Sequence, residues 1–414
     1  MKRWLGLMVC LVGAAGILLG CSDGFLPSSG SGDFDRNKIS LEIIEGNSRF
    51  AWDIFKQLNE EDSDESIFIS PLSISTALTM TYQGAGTTTK EAMAGTLGYT
   101  NINDDTLNES YKNLIRYLEC LDPKVHLNIS NSLWIREGEV IKEDFLSTNK
   151  DIFDAPATSL DFSQQNAADE INQWISKATN KKIEKMIDSP IAPDIVMYLI
   201  NAIYFKGDWT SQFDQKNTFR TEFQAGDGST REVMMMSRNG EVEYGQGDGF
   251  KAVRLPYGSG KMAMYCILPE EGEPINNFIM GLDVERWKII RDSISERDQV
   301  LLRLPRFKLE YGIKQLNDSL IALGMEEAFS ERADFSGIRE GVYVSEVLHK
   351  AVIEVNEKGS EAAAATVVVV KECAAVEPLT FIADRPFIFV IADDETGTIL
   401  FMGKVYDISQ SQEG

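Results

Sequence analysis

Residues 357–370 read Glu357-Lys358-Gly359-Ser360-Glu361-Ala362-Ala363-Ala364-Ala365-Thr366-Val367-Val368-Val369-Val370. The four alanines favour helix in isolation, whereas four consecutive β-branched valines are stiff at the first side-chain torsion and favour a pleated strand. One segment thus has two conformations open to it. At the period of two that governs strands, Ser360, Ala362, Ala364, Thr366, Val368 and Val370 share a face. None of the six is charged or large, so that face can slide between two existing strands, with Glu361 and Lys371 on the other side. Taken alone, the run reads equally as such an insertable segment or as an ordinary low-complexity loop or core strand.

The flanks narrow the choice. Val344 to Asn356 precede the run, and Ala383-Asp384-Arg385-Pro386-Phe387-Ile388-Phe389 follow it. Together they closely resemble the hinge and reactive-centre loop of the serpins, a family of serine-protease inhibitors. Further matches run in order along the chain: Phe-Ile-Ser-Pro-Leu-Ser-Ile at 68–74, Asn-Ala-Ile-Tyr-Phe-Lys-Gly-Asp-Trp at 201–209, Leu-Pro-Tyr at 255–257, Leu-Pro-Arg-Phe at 304–307, Ala-Asp-Phe-Ser-Gly-Ile at 333–338 and Asp-Arg-Pro-Phe at 384–387. Each is weak alone; their order and separations make the set specific.

Periodicity gives an independent outline of the same region. Ile43, Ile44, Asn47, Phe50, Ala51, Ile54, Phe55 and Leu58 recur at three and four, giving a helix face with one polar member. Ser70 as N-cap, Pro71 as first helical residue and Gly84 beyond the end punctuate a second helix, and Thr88 with Glu91 forms a capping box for a third. Val125, Leu127, Ile129, Leu133 and Ile135 alternate like a half-buried strand, while Ile171, Trp174 and Ile175 suit a helix covering a sheet. Ile195–Phe205 is nearly all apolar, as a strand covered on both faces would be, so its polar Asn201 needs partners. Strands then dominate: 233–236, 252–256, 262–269, 300–307, 387–391 and 400–405. Helices first and strands after describe one α+β domain over 38–410, with a short tail at 411–414.

The resemblance implies the serpin fold, helices packed on three β-sheets with an exposed loop at about 357–383 that inserts into the central sheet. It implies a hinge made of Glu357, Gly359, Ser360, Glu361, Ala362, Ala363, Ala364, Ala365 and Thr366. It further implies a buried hydrogen-bonded cluster of Ser70, Ser73, Asn201 and His349 where that sheet parts, with Trp209 near the place where the loop enters. The implied activity is inhibition of a serine protease by suicide-substrate trapping in a covalent complex, the protein itself being no enzyme and needing no cofactor. Fourteen places after the hinge glycine comes Cys373, making Cys373–Ala374 the reactive bond. Its small side chain suits an elastase-like protease, with trypsin-like or papain-like targets as alternatives. Lys371–Glu372 is the second choice of bond. A non-inhibitory carrier or binding protein is the competing reading, against which the small hinge residues argue.

At the N-terminus, Lys2 and Arg3 precede an apolar run from Trp4 to Leu19 that is short for a membrane span, as in a secretory signal over 1–20. Leu18-Leu19-Gly20-Cys21 resembles the bacterial lipoprotein processing site, by which Cys21 becomes the first mature residue and carries lipid; an ordinary cleaved signal with an incidental cysteine is the alternative. Residues 21–37, rich in Ser, Gly and Asp, read as anchor and flexible tether. Ser22 points to an outer-membrane location in a bacterial envelope, with the domain periplasmic or at the surface.

Without Lys2 and Arg3, 38 basic residues face 64 acids, a net charge of −26. Nucleic acid is therefore not an expected partner, and nothing in the pattern calls for more than a monomer. Of five cysteines, Cys10 leaves with the signal, and Cys120, Cys266 and Cys373 make no disulfide framework. With only two histidines, His126 and His349, and no CxxC pair, no metal site is expected.

Overall fold

One apolar stripe decides how the first helix lies. A computed structural model describes residues 5–15, 34–359 and 379–408. Helix α1 spans Leu41–Glu61 and buries Ile43, Ile44, Phe50, Ala51, Ile54, Phe55 and Leu58. Its one polar member, Asn47, accepts hydrogen bonds from Tyr99 and Tyr111. Helix α2 (Pro71–Tyr82) is buried all round, and the Ser70 hydroxyl caps it by accepting from the Ser73 amide. Helix α3 (Thr87–Leu97) starts one residue before the expected capping box, with Gly86 as N-cap. Thr88 and Glu91 cannot act as the box because Thr88 already lies inside the helix, its hydroxyl donating to Glu327. Helices α4 (Asp104–Cys120), α5 (Glu143–Phe153), α6 (Ala167–Ala178), α7 (Ile275–Met280) and α8 (Val284–Ser293) follow. Among the described residues no helix is long and apolar enough to cross a membrane.

The strands are β1 (Leu5–Ala15), β2 (Ile67–Ile69), β3 (Val125–Arg136), β4 (Ala157–Leu160), β5 (Ile195–Gly207), β6 (Phe219–Gln224), β7 (Thr230–Gly247), β8 (Phe250–Tyr257), β9 (Met262–Pro269), β10 (Ser295–Pro305), β11 (Phe307–Gln315), β12 (Val342–Val355), β13 (Leu379–Ile382), β14 (Phe387–Asp393) and β15 (Ile399–Val405). The first sheet has the order β11-β12-β1-β5-β3-β4. The long β7 belongs to both remaining sheets: β6 pairs with its start (Thr230 to Met235), β8 with its end (Glu243 to Gly247) and β10 with the stretch from Met235 to Tyr244, and the ladder continues through β9, β14, β15 and β2. The three expected sheets are present, two of them continuous through that one strand.

The sequence alone suggests a single strand over Val300–Phe307, but the structure breaks it at Arg306. Pro305 ends β10 in one sheet and Phe307 begins β11 in another, because Pro lacks the amide a central ladder needs. Leu5–Ala15, read above as the apolar core of a leader, lies in the middle of the first sheet, parallel to both β12 and β5. Helix α6 covers that sheet as expected, with Ile171, Ile175, Met8, Trp134, Tyr198, Ile200 and Val352 in one apolar cluster.

A buried lysine ties α1 and α7 to β15. Lys404 Nζ donates to Asn59 Oδ1 (2.9 Å), the Asp62 and Ser63 carbonyls (3.0 and 3.1 Å) and Asn276 Oδ1 (3.1 Å), closing the C-terminus of α1. Burial lowers its pKa to about 8, below that of an exposed lysine, so between about pH 8 and 10.5 the unfolded chain binds a proton that the folded chain does not. Folded stability should accordingly rise with pH across that window. The difference in unfolding free energy between the wild type and Lys404→Met, measured by denaturant titration, should therefore shift in the wild type's favour from pH 8 to 10.5, by up to about 1 kcal/mol per pH unit. A constant difference would remove Lys404 as the titrating group.

Candidate functional site

After Val355 the chain leaves β12, and residues 356–359 reverse it at the head of the first sheet. Trp209, just beyond the end of β5, holds this turn: its amide donates to the Lys358 carbonyl and its indole Nε1 to the Asn356 carbonyl, both at 2.9 Å. The indole stacks on Tyr257 with centroids 4.4 Å apart. Gly359 has φ +90°, and a Cβ there would lie 2.3 Å from the Trp209 nitrogen, so conformation and space both require glycine.

Glu357 is 2% exposed, and its carboxylate is fully partnered. Arg306 Nε donates to both oxygens at 2.8 and 2.9 Å, its Nη2 stands 2.6 Å from Oε1, and the Thr218 hydroxyl donates at 2.5 Å. The break between β10 and β11 is what aims Arg306 at this carboxylate. Arg306, at the break between β10 and β11, and Thr218, in the loop before β6, therefore fasten the first residue of the hinge.

Lower in the sheet, polar side chains interrupt the apolar walls. Ser73 Oγ donates to Asn201 Oδ1 at 2.5 Å, and Asn201 Nδ2 donates to Asn131 Oδ1 at 2.7 Å. Asn131 in turn donates to the Phe153 carbonyl. Ser70 donates its hydroxyl to the Leu400 carbonyl and its amide to His349 Nε2 at 3.2 Å, so the ring proton sits on Nδ1 and the imidazole is neutral. Ser70, Ser73, Asn201 and His349 are thus joined in one buried chain of hydrogen bonds. Asn201 and His349 nevertheless face each other across β1, whose Leu11 stands level with both.

Asn131, Arg306 and Thr218 did not emerge from the sequence reading. Asn131 left a trace, since it falls on the apolar face of Val125, Leu127, Ile129, Leu133 and Ile135. Arg306 left a weaker one, a charge between two strand-forming stretches. Ser360 to Thr366, Lys371, Glu372, Cys373, Ala374 and Cys21 lie outside the described residues. Of the thiols, Cys120 is exposed and Cys266 buried, the latter pushed far up in pKa by burial. Among the described residues no three His, Cys, Asp or Glu side chains are grouped to hold a metal ion.

A family described as serpin (serine protease inhibitor) matches residues 45–408. A serpin-like protein of Methanosarcina acetivorans is 34% identical over 373 residues, covering 88% of this chain and 86% of the other. Intracellular coagulation inhibitor 2 of Tachypleus tridentatus is 33% identical over 353 residues, covering 83% and 86%. Among solved structures, the thermophilic serpin tengpin in its native state superposes with a TM-score of 0.80 at 31% identity, over 91% of this chain and 96% of that one. Human thyroxine-binding globulin with thyroxine gives 0.80 at 29% identity, over 89% and 100%. The chain belongs to the serpin family.

The clamp on Glu357 yields a measurable expectation. Removing the cation leaves a buried carboxylate without its charged partner, so Arg306→Met should destabilise the fold by about 3 kcal/mol. Arg306→Met with Glu357→Gln together should cost less than the two changes summed. Additive changes in denaturation midpoint would mean that the pair does not couple.

Proposed function

We propose that the chain is a serine-protease inhibitor that works by trapping, with Cys373–Ala374 as the bond offered to an elastase-like enzyme. The observation that carries this reading is that β5 and β12 stand one strand apart, a space that β1 takes in this structure, with a clamped hinge at its head. Strand β12 has 14 residues, and Ser360 to Cys373 number the same. A loop folding back from Gly359 therefore fills the gap end to end and brings the cut end to the foot of the sheet. The travel is about 45 Å at 3.3 Å per residue. In that antiparallel register Thr366, one of two hydroxyl residues on the hinge's small face, comes level with His349.

The chemistry divides between the two proteins. The protease serine attacks the carbonyl of Cys373, expels the amine of Ala374 and leaves an acyl-enzyme. The freed loop then enters the gap, gaining about 0.5–1.5 kcal/mol net for each backbone hydrogen bond formed. Insertion outruns hydrolysis if the protease, dragged to the far end, loses its catalytic geometry first. A chain that works this way is held by a barrier before cleavage.

Thyroxine-binding globulin gives the competing reading, a carrier. The small side chains from Ser360 to Thr366 favour trapping, since a carrier has no need to keep that face narrow. The anchor belongs to the same proposal: residues 1–20 are a signal, Cys21 carries lipid, and a tether through residue 37 holds a monomeric domain at a bacterial envelope, on the outer membrane.

Two variants of the chain beginning at Cys21 test the mechanism. Ser360→Arg should fold normally yet be cut as a substrate, with the covalent complex on a denaturing gel falling at least tenfold. Cys373→Arg should shift capture from elastase toward trypsin. Mass-spectrometric mapping of the cut only to Lys371–Glu372, with elastase never captured, would reassign the bond.

A further inference from the structure

The gap between β5 and β12 has an occupant from the chain itself. Every residue of β1 has a register partner on β12, from Val342 to Ile353, and every residue from Gly6 onward has one on β5, from Ile195 to Phe205. After one irregularity near Leu7 the pairing is continuous on both sides. Both walls run in the same direction, so a parallel strand satisfies the two exposed edges with evenly spaced bonds. The β5 wall carries no charge between Ile195 and Phe205, and of the charges on the paired stretch of β12, Glu346 accepts from Gln315 and Lys350 is paired with Glu310. Met8 is buried beneath α6 among Trp134, Tyr198 and Leu348. These features suit an extended apolar segment of about ten residues.

The occupant and the reactive loop cannot be in place together. Strand spacing of about 4.8 Å allows one strand between β5 and β12. The loop would run antiparallel to β12 after the turn at 356–359, whereas β1 runs parallel to it. We infer that the slot is a binding site for the chain's own N-terminal apolar segment, and that a chain retaining this segment is autoinhibited. Resting on the trapping reading above, this means that a protease cuts the loop of such a chain, the loop finds its place taken, and water hydrolyses the acyl-enzyme. Removal of residues 1–20 then serves as activation as well as processing.

The test uses the full chain made by cell-free synthesis, where nothing removes residues 1–20. Leu11→Pro withdraws an amide from the middle of β1, and Val9→Asp puts a charge into the apolar segment, so either change should expel the strand. Elastase and trypsin are the probes, with covalent complex read on a denaturing gel and amide hydrogen exchange read over residues 9–14. The wild-type full chain should be cut in its loop yet form at least tenfold less complex than either variant, and its 9–14 amides should be protected in the wild type alone. Equal capture by all three proteins, or unprotected amides in the wild type, overturns the inference. Protected amides with no capture by any of the three would establish the occupant of the slot and remove the trapping reading instead.

Discussion

Two backbone edges, one on β5 and one on β12, govern this molecule. Each presents a row of amides and carbonyls between α2 on one side and α6 on the other, where water cannot serve them. A buried group left unpaired costs about 1–3 kcal/mol, so rows this long must be met by each other or by an inserted strand. The sheet therefore has two acceptable arrangements and nothing tolerable between them. The narrow hinge residues, the polar cross-links and the turn at Gly359 all follow from the need to pass from one arrangement to the other.

The fastenings lie at different heights and act on different parts of that passage. At the head, the charged pair of Glu357 and Arg306 fixes where the returning chain starts. Halfway down, Asn201 is tied to Ser73 and Asn131 on one wall, while His349 is tied to the Ser70 amide on the other. With β1 between them, the two are linked through the N-terminus of α2, where the Ser73 amide donates to the Ser70 hydroxyl, so each wall has a polar fastening to the same helix end. Fully partnered polar groups in an apolar surrounding hold discrete positions, which apolar packing alone defines less sharply.

Local chemistry was legible wherever one residue type settled it. The Ser70 cap with Pro71 behind it and the doubly covered strand over Ile195–Phe205 needed no tertiary knowledge. The capping box at Thr88 failed because Asp334 and Glu327, distant in sequence, draw Thr87 and Thr88 into other bonds. The strand over Val300–Phe307 was divided because a propensity argument cannot see that the chain changes sheets at Pro305. For β1 the difficulty was of another kind: an apolar run between basic residues and a cysteine has the same composition whether it heads for a membrane or for a sheet. Only the unpaired edges of β5 and β12 distinguish the two, and they are assembled from residues far along the chain.

That distance sets a timetable during synthesis. Strand β5 is complete at Gly207, but its companion β12 is not finished until Val355. At 5–20 residues per second the ribosome needs roughly 7–30 s to cover the interval, and for all of it the inner edge of β5 has no partner made after it. An apolar strand edge left open for so long invites pairing with neighbouring nascent chains. Residues 5–15 are made before β5, and their register on β5 does not depend on β12, so they are on hand to cover that edge while the rest of the sheet is still being written.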